Sequence, residues 1–289
     1  MLAGRLGLET ARIPHSDRHG LLWLEYGNLT VQDGTLHFIA AKSALLDPGD
    51  YCIPFQMLSL ILLGPGTTVS HDALRLMARH GTGLVAVGDG GVRMYTAQPL
   101  GPNDSALARK QTYCWADKQE RLQIARRMYA IRLGEVFPNA EIAVLRGIEG
   151  ARMKELYTQI ARKYGIEWNG RRYDRSNPDA TDLPNQAINH AATAVESAAH
   201  IAVAATGTLP QLGFIHEDSA NAFCLDIADM HRHTVTLPLA FEAVKQREKE
   251  PALSMDRCVR RRAVRLFREK ELIPNMIDTI KQLFEKKEE

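Results

Sequence analysis

The sequence predicts an α+β protein: a small N-terminal β-rich domain over residues 1–97, a linker over 98–105 and an all-helical domain over 106–289. Three observations carry this. Short β-type runs separated by turn residues fill the first third of the chain. A stretch with the composition of a linker, Gln98-Pro99-Leu100-Gly101-Pro102-Asn103-Asp104-Ser105, follows them. Beyond it the hydrophobic period becomes that of helices. With 289 residues and 45% apolar content the chain can bury a core in each of two domains.

The expected strands are Leu21 to Tyr26, Leu29 to Gln32, Leu36 to Ala40, Leu58 to Leu63, Leu84 to Val87 and Val92 to Thr96. Asp33-Gly34 and Gly88-Asp89-Gly90-Gly91 supply tight turns between neighbours. One helix interrupts them over Val69 to His80, where Ala73, Leu74, Met77 and Ala78 share a face and Ser70 is a suitable N-cap. Gly64-Pro65-Gly66-Thr67 before it lacks both the Lys-Ser/Thr pair of a Walker A loop and the spacing of a dinucleotide loop, so it reads as a turn. The second domain is expected to hold helices near 106–134, 139–164, 185–206, 221–232, 238–249, 253–270 and 274–286, ending in a frayed tail, Glu285 to Glu289.

Lys and Arg number 36 against 34 Asp and Glu, so a polyanion partner must be recognised by local clusters rather than by net charge. Four cysteines, Cys52, Cys114, Cys224 and Cys258, form no Cys-x-x-Cys pair. They read as reduced thiols of a cytoplasmic protein. The longest strongly apolar run, Met57 to Leu63, is far shorter than the roughly 20 residues of a membrane helix, so no membrane role is expected.

Chemistry concentrates in the helical domain. On a helix from Asn139 to Tyr164, the residues Ile142, Leu145, Met153, Leu156, Ile160 and Tyr164 make one apolar row, and Glu149 falls inside it. A carboxylate there needs a cation nearby, because its desolvation is costly. Arg146, one turn earlier, is a candidate, and a buried Glu149–Arg146 ion pair without chemistry is the plain alternative. Gly147 and Gly150 weaken the helix and suggest room for another group. A second anomaly is Phe223-Cys224-Leu225-Asp226-Ile227-Ala228-Asp229-Met230, apolar around nearly its whole circumference except for two aspartates on one face. Such a pair calls for a cation or raised pKa values, unless one aspartate simply bonds backbone groups. His216, in Leu212-Gly213-Phe214-Ile215-His216, stands just before it. One imidazole with two or three carboxylates and no thiolate suits Mg²⁺ or Mn²⁺ and favours phosphodiester chemistry.

Leu145-Arg146-Gly147-Ile148-Glu149-Gly150, Trp168-Asn169-Gly170-Arg171-Arg172-Tyr173-Asp174, Gly213-Phe214-Ile215-His216 and Asp226-Ile227-Ala228-Asp229 together resemble the CRISPR-associated integrase, the larger of the two adaptation proteins, and its subtype I-E branch in particular. Similar N-terminal stretches are Glu25-Tyr26-Gly27, Gly64-Pro65-Gly66-Thr67, Val69-Ser70-His71 and Gly90-Gly91-Val92-Arg93-Met94-Tyr95, and the likeness runs from about Leu21 to at least Arg265. The resemblance implies a homodimer and a metal site of Glu149, His216 and Asp229, with Asp226 as a further acid needed for activity. More distant relatives often have Glu at the position of Asp229, which leaves the choice of ligand between Asp226 and Asp229 open. It also implies a small ferredoxin-like partner protein, joining of short DNA fragments to the repeat array of a CRISPR locus, and nuclease activity on branched DNA.

In such a reaction a 3′-hydroxyl attacks a phosphodiester in line, and His216 serves either as metal ligand or as base. Ser219 and Tyr173 are not paired with any base by a recognisable motif, so direct transesterification is the simpler route. Two segments have the charge to hold double-stranded or branched DNA. Arg109 to Arg132 carries seven basic residues against two acidic ones, and Arg257 to Lys270 carries seven against Glu269 alone. The expected DNA contacts are Arg257, Arg261 and Arg265 on the second segment, with Arg146, Arg171, Arg172 and Arg93 elsewhere. Solvated helix faces are the plain alternative. A non-catalytic DNA-binding scaffold and a phosphoesterase of small molecules are the competing functional classes.

Overall fold

The computed structural model describes residues 20–43, 46–96, 105–172 and 182–285. It is an N-terminal β-sheet region followed by helices. The first part contains β1 (Gly20–Leu24), β2 (Gly27–Gln32), β3 (Thr35–Ala40), β4 (Gly49–Ile53), β5 (Leu58–Leu63), β6 (Thr67–Val69), α1 (His71–His80) and β7 (Gly83–Ala86). They form two sheets, a parallel one in the order β1-β5-β7 and a four-stranded one in the order β4-β3-β2-β6.

β3 shows the expected alternation, with Leu36, Phe38 and Ala40 buried between outward Thr35, His37 and Ile39. β5 is buried almost end to end, as befits the centre of a parallel sheet. Leu24, Leu29, Phe38, Ile61 and Met77 meet in the core of this region. The Ser70 hydroxyl caps α1 by accepting the Ala73 N–H at 3.2 Å.

Several expectations need correction. The run Leu21 to Tyr26 is not one strand: β1 stops at Leu24, and the chain passes to the other sheet through Tyr26, at φ 52°. β4 and the three-residue β6 were not expected from the pattern. Val92 to Thr96 is not a strand. Its pairing is confined to bonds such as Gly88 N–H to Arg93 O and Tyr95 N–H to Ala86 O, both 2.8 Å.

The helices are α2 (Ala106–Ala116), α3 (Lys118–Leu133), α4 (Ile142–Lys163), α5 (Leu183–Thr206), α6 (Ala222–Met230), α7 (Leu237–Lys249), α8 (Met255–Glu269) and α9 (Leu272–Leu283). The single helix expected over 106–134 is two, because the Asp117 side chain accepts the N–H groups of Gln119 and Glu120, both at 2.9 Å, and starts a new helix. A π-turn over Arg232–Thr236 joins α6 to α7. The linker falls mostly, and the charged tail almost wholly, outside the described residues.

The chain divides into two compact units: Met1–Val87 with Tyr95–Ser105 and Ala204–Gly207, and Gly88–Met94 with Ala106–Val203 and Thr208–Glu289. The segment Gly88–Met94 therefore belongs with the helices. Gly90 lies against Val264 of α8, so that a Cβ on it would stand 2.5 Å from Val264 Cγ2. Arg93 Nη2 donates to Asp256 Oδ1 at 2.7 Å.

Candidate active site

α6 is buried nearly all round, as its composition predicts. Asp226, in its middle, is wholly buried and is satisfied by a loop rather than by a cation. Its Oδ2 accepts the N–H groups of Phe214 (2.6 Å) and Ile215 (3.0 Å), and its Oδ1 accepts the N–H of His216 (3.0 Å). His216 Nδ1 lies 2.7 Å from the same Oδ1. With Nδ1 donating to the carboxylate, Nε2 is the nitrogen turned toward Asp229, 3.8 Å from its Oδ2. The Asp226 hydrogen bond holds the imidazole above its ordinary pKa; burial opposes this, the charges of Asp226 and Asp229 add to it, and Arg132 works against it.

The loop is braced from three sides. Gln111 of α2, fully buried, donates to Leu209 O (2.9 Å) and Leu212 O (3.0 Å) and accepts the Leu209 N–H (2.7 Å). Arg146 of α4 donates to Ile215 O at 2.8 Å. Gly213 has no space for a side chain, since a Cβ there would stand 2.3 Å from His216 O and 2.7 Å from Ala222 Cβ.

Glu149 does lie on the inward row of α4, but that row runs Leu145, Glu149, Met153, Tyr157 and Ala161, rotated from the expected one, and Ile142, Leu156 and Ile160 lie at its margin. Its counter-charge is not Arg146. Arg132 of α3, its side chain only 4% exposed, places Nη2 2.6 Å from Glu149 Oε1 and Nη1 3.4 Å from Asp229 Oδ2. Asp229 is also paired with Arg232, one turn on. Gly147 and Gly150 face open space: apart from the adjoining residues and the helix's own backbone, no described heavy atom lies within 4 Å of where a Cβ would be.

Glu149, His216, Asp229, Arg132, Arg146 and Tyr129 line one cleft of about 520 Å³. Asp226 is not among its lining residues. The cleft thus offers an imidazole nitrogen and two carboxylates, donors that fit a hard divalent cation in kind. Among the described residues, however, no three His, Cys, Asp or Glu side chains stand close enough together to hold a metal ion, and the positive charge between the carboxylates is that of Arg132.

The other expected DNA contacts are scattered. Arg257, Arg261 and Arg265 lie exposed on the outer face of α8, opposite Met255, Val259 and Phe267. Arg171 is engaged internally, with Nη1 on Asn185 Oδ1 (3.0 Å) and Nη2 on Asn189 Oδ1 (2.6 Å), and Arg172 is exposed. Arg93 is paired with Asp256. Tyr173 and Asp174 lie outside the described residues. In the first basic segment Arg121 pairs with Glu217 (2.8 Å), while Arg126 and Arg127 bond backbone carbonyls, so these three side chains are committed to contacts within the fold.

The sequence gives Arg232 and Gln111 no role, and it counts Arg132 only among the seven basic residues of the first segment, as a phosphate contact, whereas the structure buries it against Glu149 and Asp229. For Arg132 a signal existed: it continues the buried row of Ala125, Met128 and Tyr129, and an arginine in such a row requires anionic partners.

A β-sheet region followed by a helical unit whose cleft gathers one imidazole and two carboxylates defines a class that can be compared with known proteins. The chain matches the family model described as CRISPR associated protein Cas1 over residues 21–136 and 130–266, and it belongs to that family. It is 36% identical over 273 residues to "CRISPR-associated endonuclease Cas1" of Escherichia coli (strain K12), covering 94% of this chain and 86% of the relative. It is 35% identical over 272 residues to "CRISPR-associated endonuclease Cas1 3" of Methanospirillum hungatei JF-1, covering 94% and 88%. Among solved structures, "Crystal structure of TtCas1-DNA complex" aligns with TM-score 0.82 and 30% identity over 95% of this chain and 99% of that one. "Casposase bound to integration product", 16% identical with TM-score 0.63, shares the fold. Among the described residues no helix is long and apolar enough to cross a membrane.

Proposed function

We propose that the chain is a metal-dependent DNA endonuclease and integrase of CRISPR adaptation, which joins the 3′-hydroxyl ends of short DNA fragments to the repeat array by transesterification. The observation that carries this reading is the imidazole of His216, fixed at Nδ1 by buried Asp226 and presented through Nε2 to a cleft shared with Asp229 and Glu149. Membership of the Cas1 family, a relative named as an endonuclease and a similar structure in complex with DNA support it.

Glu149, His216 and Asp229 are the residues that would hold Mg²⁺ or Mn²⁺, which would neutralise the charge developing on the phosphate oxygens. Asp226 acts through His216, setting its ring orientation and the order of the loop. In the alternative role, His216 Nε2 takes the proton of the attacking hydroxyl. Cys224 is not a competing nucleophile: burial, and then Glu196, push its thiol up to about 12. Arg257, Arg261 and Arg265 neutralise phosphates of the duplex, Arg146 adds a contact at the cleft it lines, and exposed Arg172 adds another. Residues 1–97 serve dimerisation and DNA contact, 106–289 form the catalytic domain, and a small ferredoxin-like protein completes the complex; these assignments rest on the family resemblance. Four free cysteines agree with work in the reducing cytoplasm.

The test is joining of a short duplex with free 3′-hydroxyl ends into a repeat-containing plasmid, with the partner protein and Mn²⁺, by wild type, Glu149→Ala and His216→Ala. Wild type should join, while both variants fold, bind DNA and fail to join. Joining by both variants overturns the catalytic assignment. Binding without joining by wild type favours a scaffold role.

A further inference from the structure

Arg132 stands between the two carboxylates that the proposed function gives to a metal. We infer that it is an internal counter-cation which competes with the divalent ion for Glu149 and Asp229 and so sets the metal affinity of the cleft; the inference rests on the metal-dependent reading above.

Two facts separate this from an ordinary buttress. The first is position: one guanidinium, almost wholly buried, reaches Glu149 through Nη2 and Asp229 through Nη1, and these carboxylates come from different helices, α4 and α6. The second is how loosely it is satisfied. A guanidinium has five N–H donors. Here Nε is buried with no hydrogen-bond partner among the described residues, and the 2.6 Å approach of Nη2 to Glu149 is a charge contact without hydrogen-bond alignment. A group locked for structure alone would have its donors filled.

Charge fixes the direction of the effect. With no metal present, Arg132 offsets the mutual repulsion of Glu149 and Asp229. A divalent ion entering between them meets a like charge a few ångströms away, in a cleft where screening is poor. Asp229 has a second partner in this structure, Arg232, so Glu149 is the carboxylate expected to change partners. DNA phosphate in the cleft would relieve the same repulsion, so metal and DNA should bind with positive coupling that depends on Arg132.

The experiment titrates Mn²⁺ into the metal-free full chain without DNA, reading free ion by electron paramagnetic resonance, for wild type, Arg132→Gln, Arg132→Met, Arg132→Lys and Glu149→Gln. Arg132→Gln and Arg132→Met should bind Mn²⁺ at least tenfold tighter than wild type. Arg132→Lys, which keeps the charge, should stay within about threefold. Both neutral variants should lose thermal stability without metal and regain it with Mn²⁺. Unchanged or weaker Mn²⁺ binding by the folded neutral variants overturns the inference and makes Arg132 a buttress. Variants that remain unfolded at saturating Mn²⁺ overturn it equally. If Glu149→Gln binds Mn²⁺ as well as wild type does, the metal site itself is wrongly assigned, an outcome read from that control and not from the Arg132 series.

Discussion

Nδ1 of His216 lies 2.7 Å from Oδ1 of Asp226, and that same carboxylate receives the backbone N–H groups of three consecutive residues, Phe214, Ile215 and His216. The aspartate thus shapes the segment and aims the ring with one group. An asparagine cannot do both, because its amide nitrogen would face an N–H donor. Asp226→Asn should cost about 3 kcal/mol in a urea denaturation, the scale of losing charge-assisted bonds at a buried site. It should also return His216 toward its ordinary pKa. The wild-type ring, raised by Asp226, contributes stability that is complete below pH 6.5 and lost as pH rises through the raised value. An NMR titration in which His216 of the variant keeps its raised pKa would contradict this.

The Gly213 backbone is packed against His216 O and Ala222. Gly213→Ala must therefore move the loop that carries the imidazole. Strand joining should fall by about a hundredfold, the usual cost of misplacing a reacting group by an ångström, with a loss of about 1–3 kcal/mol in stability.

Gly147 and Gly150 are the opposite case, since open space surrounds both. Alanine at either position should stabilise the helix by about 0.5–1 kcal/mol. If the space serves DNA, joining falls while the melting temperature rises. Unchanged joining would mean that the glycines leave room for nothing.

His231 is held neutral in the fold, its pKa pushed down to about 4 by burial. The unfolded chain takes up that proton near pH 6.5. The stability tied to this group is therefore whole above pH 6.5 and lost as pH falls toward 4, by as much as about 3 kcal/mol. Unfolding of His231→Gln followed between pH 7 and 4 should show a flatter acid limb than wild type, and an unchanged limb would rule His231 out as its cause.

Replacing Arg257, Arg261 and Arg265 together by Gln should weaken DNA binding evenly across sequences and reduce the slope of log K against log salt by about 2–3. Arg93→Gln should leave the slope alone and lower thermal stability instead, because Arg93 is bonded to Asp256. The reverse pattern would give the phosphate contact to Arg93 instead.

What could be read from the residues, and what could not, follows from range. The β-type run of β3, the Ser70 cap of α1 and the helical span of α8 are local, and each appears in the structure as its pattern predicts. Asp117 is equally local, yet its neighbours are such good helix formers that they mask the cap inside the run. Partners at long range are a different matter. Glu149 was visible as an anomaly, but its ion pair joins it to Arg132, which lies on another helix, rather than to Arg146 on its own. Gln111 and Asn185 look like ordinary surface amides. Their burial depends on carbonyls and N–H groups far along the chain, or on a turn whose shape no periodicity describes.

The division of the chain into units bears on how such a protein can be cut and recombined. Gly88–Met94 is assigned to the helical unit while the residues on either side of it belong with the sheets, and Ala204–Gly207 makes the opposite excursion from the end of α5. A single breakpoint in the gene between codons 97 and 105 would therefore deliver neither unit whole: one product would lack its turn at Gly90 and the other its return segment near residue 205. Exchange of the N-terminal part between homologues would have to carry Val264 and Asp256 along as matched pieces, so the two halves are bound to change together rather than to be traded separately.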